Sequence, residues 1–562
     1  MRPPKLLVSG ILALWFALAS LPACAGSDLG KLDFPTSASP EAQAHFLRGV
    51  AALHNFWYEE AVDEFQAAEK AEPGFALAYW GEAMTFNHPV WGEEDLAGAW
   101  VALAKLAPTP GERAGKAPTD REKAWLAAVE ALYGEGEKPA RDRAYSAAMA
   151  RIRERWPDDF EAGAFYALSL IGPAWASDGA TFGEPRERVL MRAAAVLEEL
   201  FARNPQHPGV VHYMIHAYDD PVHAPLGLRA ARVYAQVAPA AHHALHMPSH
   251  IFVQLGRWSD VAASNEASWA ASVAWTERRK LPIEKRDFHS LSWLSYAYLQ
   301  QGRYGKARET LEVARKAAQA EPTSRIVGAL DGMEARYLIE TRSWTEAKLP
   351  PAAPAQPAVV TAEAAPAGAH CKSPGAGPGM TSQSADHAGM IFAAGLAAAR
   401  RGDATTANEA VARLKSLPKG GRTYGGDTTA VMEKEISGLL LLAQGNKDQG
   451  LALLAEAVKA EDAMTPPSGP PELFKPAQEL YGEVLLEQGK AEEAEAQFHG
   501  SLLRMPQRTA SLLGAARAAA KLGHEDEARR LYTDLAAIWR QADGDLPDVA
   551  EARSHLASAP AR

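Results

Sequence analysis

Along most of the chain, small and apolar residues recur at the three-to-four-residue spacing of helices, and no window of comparable length alternates in the two-residue rhythm of strands. Over this runs a longer period. In residues 45–73, Gly49, Tyr58, Ala61, Phe65, Ala68 and Pro73 fall at positions 8, 17, 20, 24, 27 and 32 of a 34-residue unit. Small residues at 8, 20 and 27 let two helices approach closely, a Gly near 15 suits the turn between them, and Pro near 32 closes the unit. The pattern returns in 288–318 (Gly302, Tyr304, Ala307, Ala314), 475–506 (Gly482, Gly489, Ala494, Phe498, Pro506) and 509–540 (Gly523, Ala528, Tyr532), and more weakly in 388–418 and 431–462. Pro205 and Pro239 bound a further unit, and the one after it carries Gly256 and Trp258 at positions 15 and 17. The prediction is an all-α protein built of antiparallel helix pairs.

This grammar resembles the tetratricopeptide repeat (TPR), which implies an α-solenoid: stacked helix pairs forming a superhelix with a concave groove. The repeats divide into an N-terminal array at 31–347 and a C-terminal array at 387–545, with a tail at 546–562. Between the arrays, 348–386 is rich in Pro, Ala and Gly and lacks helical periodicity, as a linker or long loop does. Shorter interruptions at 172–185 and 465–476 predict loops, which in solenoids often lie on the binding side.

Composition narrows the function classes. With 47% hydrophobic residues, 23% charged residues and a net charge of −11, the chain lacks the basic footprint of a nucleic-acid binder. Its first 25 residues combine a basic start, an apolar run and a small-residue cleavage site, the pattern of a signal peptide for periplasmic or secreted proteins. Ala23-Cys24-Ala25 suits cleavage after Ala25, while Leu21-Pro22-Ala23-Cys24 loosely resembles a lipoprotein signal with Cys24 as the lipid anchor. Beyond that anchor nothing predicts membrane attachment, because no later stretch reaches the roughly 18 apolar residues of a span. Cys24 and Cys371 are the only cysteines, so a disulfide framework is excluded. Cys371 sits in the linker with nothing placed to activate it.

Eight of the 17 histidines lie within 207–250, where an even spread would place about one. His212 and His216 are spaced i, i+4, and so are His246 and His250, one 34-residue period later. Such pairs lie on one helix face and, on adjacent units, side by side. In the repeat's numbering both pairs take positions 5 and 9, which the TPR resemblance places towards the groove. His243 and His289 take position 2, and His54 and His88 take position 13. Four imidazoles meeting around one transition-metal ion, zinc, copper or iron, are the leading candidate site. Asp219, Asp220 and His223 follow the first pair and are candidates to complete the coordination or orient its rings, with His243, His88, His54 and His289 as further candidates. Since metal needs neutral imidazole, an unperturbed histidine pKa predicts release below about pH 6. Tyr58, Trp258 and Tyr304 read as core; Trp57 and Trp91 read as helix-junction residues.

The block HPGVVHYMIHAYDDPVHAP…HMPSHIF at 207–252, with FNHPVW at 86–91 and PPSGPPELFKP at 466–476, resembles exported bacterial TPR proteins. The resemblance implies an exported helical solenoid and carries over no reaction and no ligand set. Motifs of nucleotide, dinucleotide and serine-hydrolase chemistry are missing, so no nucleotide cofactor is expected. The sequence therefore favours a binding or scaffold protein whose groove takes a metal ion, a peptide or a protein partner. The alternative is a metal-dependent oxidative or hydrolytic enzyme using the same histidines, with Asp219 or Asp220 as ligand or base.

Overall fold

A computed structural model describes residues 28–176, 180–351, 387–417 and 427–558. The signal peptide, Cys24, Cys371 and all but the first residues of the 348–386 linker lie outside the described residues. Among those residues, no helix is long and apolar enough to cross a membrane. The fold is an all-α solenoid of antiparallel helix pairs, joined by two short hairpins, 87–94 and 180–185.

Each repeat found in the sequence is a helix pair. Residues 45–73 fall in Pro40–His54 and Tyr58–Ala71, and the unit bounded by Pro205 and Pro239 is Pro208–Ala217 with Ala224–Val237. The small residues act as expected. The Phe65 ring fills the notch at Gly49 and Gly81, where an added Cβ would stand 2.8 and 2.2 Å from it. The turn glycines at position 15, Gly256, Gly302 and Gly523 among them, hold φ of 63°, 67° and 74°, a region that side chains with a Cβ avoid. The first unit breaks this rule: Phe56 occupies the position at φ 52°.

Three pairs escaped the pattern: Ala76–Met84 with Leu96–Leu106, Asp120–Leu132 with Lys138–Arg155, and Phe160–Ala176 with Arg186–Arg203. The first and third carry the hairpins between their helices, which stretches the period beyond 34. The tail is also structured, because Pro547–Ser558 is a helix that buries Val549 and Ala552 against Glu525–Ile538.

The two arrays are continuous through Ser324–Glu340, whose Ala335 and Ile339 enter the core of the C-terminal array. That array also folds back. Trp539 donates to the Gln300 carbonyl at 3.1 Å, Trp258 to the Gln507 carbonyl at 3.0 Å, and Gln254 to the Pro467 carbonyl at 2.9 Å. The 465–476 loop therefore lies over the helices that carry the second histidine pair, with Gly469 tight against the Trp293 ring.

Candidate metal centre

His212 and His216 share one face of Pro208–Ala217, as the i, i+4 spacing requires. His243 and His246 lie on His242–His246, and His250 on Pro248–Gln254. Pro248 breaks what would be one helix, but Met247 stays helical, so the second pair remains on one face. His289 stands in the first turn of Phe288–Gln300, which Asp287 caps.

These six rings form two triplets rather than one set of four. His212, His216 and His243 bring their donor nitrogens within 4.8 Å of one another, and so do His246, His250 and His289. In the first triplet the Nε2 of His212 is 3.1 Å from that of His216 and 3.2 Å from that of His243. In the second, the Nε2 atoms of His246 and His250 are 3.2 Å apart. The four-histidine site expected from the sequence is thus corrected: adjacent units are offset, and the position-2 histidine of the next unit comes closer than its pair.

Hydrogen bonds fix which nitrogen is free. His212 Nδ1 is 2.7 Å from the His54 carbonyl and must donate to it. His250 Nδ1 donates to the Asp219 carboxylate at 2.7 Å. His246 Nδ1 donates at 2.6 Å to Asn265 Oδ1, whose amide is oriented by Asn265 Nδ2 donating to the Val261 carbonyl. With the proton on Nδ1, each Nε2 carries a lone pair. Two lone pairs facing across 3.2 Å repel unless a cation lies between them. Two nitrogens at 2.0–2.1 Å from one tetrahedral ion are separated by about 3.3 Å, close to the spacing seen.

The surroundings are aromatic. Phe56 lies 4.3 Å from His212 and 5.7 Å from His243, ring centre to ring centre, and Trp293 lies 4.5–5.4 Å from all three rings of the second triplet. Burial pushes the imidazole of His212 down to about 3 and that of His289 to about 4. It also drives His216, His243 and His246 well below the ordinary histidine value. Burial thus holds these five rings neutral at physiological pH. Nor is the cluster an open groove, since its rings are buried or half-buried. Beside His243 and Phe56 lies a pocket of about 10 Å³, room for one water. Clefts of about 340 and 440 Å³ open elsewhere, the first lined by Arg400, Lys475, Glu479, Glu483 and Arg517.

The remaining candidates take other places. Asp219 is an outer partner of His250, and Asp220 caps its own turn, accepting from the backbone of Val222 and His223 and from His223 Nδ1. His223 is therefore a turn residue. His88 is buried against Tyr58 and belongs to neither triplet. His54 joins a separate buried cluster with Glu161 and His207, whose ligand atoms also lie within 4.8 Å of one another: its Nε2 meets Glu161 at 2.6 Å and its Nδ1 meets the Tyr213 hydroxyl at 2.8 Å, while His207 donates to the other Glu161 oxygen. Burial alone would raise Glu161, but the imidazoles of His207 and His54 hold it far below the usual carboxylate range. This explains the HPG run physically. His207 caps the helix, Pro208 occupies its first turn, and Gly209 lets the His54 ring approach to where a Cβ would be 2.3 Å from it. His54 serves the triplet only through its carbonyl.

Phe56, Trp293 and Asn265 went unnoticed in the sequence. Phe56 left a signal, because it replaces the turn glycine; its strained backbone is kept where its ring covers the histidines. Trp293 and Asn265 left none.

No protein-family model and no curated protein sequence matches the chain. Among solved structures, a human IFIT1 dimer with m7Gppp-AAAA aligns over 91% of this chain and 92% of that one at 16% identity and a TM-score of 0.34. Yeast Tom70 aligns over 92% and 95% at 12% identity and a TM-score of 0.28. A tetratricopeptide repeat protein from Parabacteroides merdae aligns over 56% and 99% at 11% identity and a TM-score of 0.28. Superpositions this loose carry no argument about ligands.

Proposed function

We propose that this solenoid is a metal-binding protein that holds a transition-metal ion on its buried histidines. The observation that carries this reading is the facing pair of His246 and His250 Nε2 lone pairs at 3.2 Å, each ring locked by an Nδ1–H donor bond. Zinc, copper and iron all accept imidazole nitrogen, and copper and zinc bind such sites most tightly. The test is metal content by mass spectrometry of the purified chain without a histidine tag, after reconstitution, beside His246→Ala/His250→Ala. Near-stoichiometric metal that falls in the variant supports the reading; equal metal in both contradicts it.

A narrower expectation concerns Asp219. A carboxylate on the far nitrogen of a metal-bound imidazole fixes the ring and raises its basicity. Asp219→Asn is therefore expected to weaken metal binding about 10- to 100-fold in a chelator competition, whereas Asp220→Asn leaves it unchanged. Equal effects of the two substitutions contradict the role.

Each triplet would offer a metal three protein donors, the number found at catalytic rather than structural zinc, which favours a metal-dependent enzyme as the second reading. On that reading the metal supplies Lewis acidity, and the aromatic wall keeps bulk water out. A peptide or protein partner fits the charged cleft of the C-terminal array better than the walled histidines.

A further inference from the structure

We infer that the protein binds two metal ions, one on each triplet, as a two-ion centre written by the repeat itself. The inference rests on the metal-binding reading and deepens it. Each triplet has the same grammar: a pair at positions 5 and 9 of one unit, completed by the position-2 histidine of the next. His212 and His216 are completed by His243, and His246 and His250 by His289. The middle unit therefore serves both. The series stops at each end for reasons visible in the sequence. Position 2 of the first unit is Gly209, which the His54 ring requires, and positions 5 and 9 of the last unit are Ser292 and Tyr296.

The triplets are separate in their donors but adjacent. The short Nε2 contacts fall inside each triplet, while the rings that face across, His216 with His250 and His243 with His246, have centres 6.1 and 6.3 Å apart. Phe56 closes the first side and Trp293 the second, so the charge of either ion is felt by the other through a medium that screens poorly.

The outer partners make the two sites unequal. His250 donates to a carboxylate, whereas His212 donates to a backbone carbonyl. The second triplet, backed by the Asp219 carboxylate, therefore fills first.

The experiment is a zinc titration of the untagged, metal-free chain against a chromophoric chelator. Wild type is expected to bind two ions in two steps. His246→Ala/His250→Ala is expected to lose the tighter ion and keep one, and His212→Ala/His216→Ala to lose the weaker and keep one. Helical circular dichroism checks that each variant is folded, and His250→Gln and His216→Gln take their place if one is not. No zinc bound by wild type overturns the metal reading itself. One ion in wild type, abolished by either pair of substitutions, keeps that reading and overturns the two-ion centre. With copper(II) as the probe, the electron paramagnetic resonance signal per ion is expected to fall when the second equivalent is added to wild type and not to the variants. Two undiminished signals overturn the coupling of two adjacent ions.

Discussion

Acidifying the metal-free protein from pH 7 to 4 is expected to unfold it in a steep transition, and loading it with metal is expected to move that transition to lower pH. The cause is the set of five imidazoles, His212, His216, His243, His246 and His289, that burial holds neutral in the fold. Their folded pKa values are depressed, so below the ordinary histidine value of about 6.5 the unfolded chain binds protons that the folded chain refuses. Stability is full above that pH and falls as the pH drops towards about 4 and about 3, where burial places His289 and His212. Each such ring removes at most roughly 1.4 kcal/mol per pH unit, so five acting together approach the whole stability of an ordinary domain within one to two units. Bound metal opposes the change because it is held by the folded state alone. Metal release should therefore coincide with loss of the 222 nm signal. Release near pH 6 from a fully helical protein contradicts the burial of the ligands.

Arg508→Ala is expected to cost about 3–5 kcal/mol, read as a lowered denaturant midpoint. The Arg508 guanidinium is buried, with Nε and Nη2 donating to Glu479 at 2.8 and 2.9 Å, Nη1 donating to the Tyr296 hydroxyl at 2.8 Å, and Glu340 forming an ion pair with Nη1 at 2.7 Å. It ties Thr509–Leu522 of the C-terminal array to Phe288–Gln300, the helix that carries His289 and Trp293. Removing it leaves two buried carboxylates with one cation fewer. Tyr296 shares its helix with His289 and Trp293, so metal affinity should fall with stability. A shift below about 1 kcal/mol would show that the array docks by other contacts.

The repeats were legible because helix packing leaves a periodic mark: a ring such as Phe65 needs its small partners, and the turn needs its glycine. Pairs that carry a hairpin between their helices lost that mark. The histidines were legible as pairs, since i, i+4 is local. Their grouping was not, because it depends on the offset between neighbouring units, which brings His243 to His212 and His289 to His246. Asp219 could be suspected from its place after His216, but only the fold separates it from Asp220 by turning one towards His250 and the other back on His223. Asn265, on the outer helix, and Trp293 act through tertiary contact alone.

Anomalous diffraction at the zinc edge, from crystals of the zinc-loaded protein, tests the central claim most directly. Peaks bounded by the Nε2 atoms of His212, His216 and His243 and of His246, His250 and His289, each about 2.0–2.1 Å from its ligands, are the predicted result. Zinc found only elsewhere on the molecule, with both triplets empty at saturating metal, would contradict it.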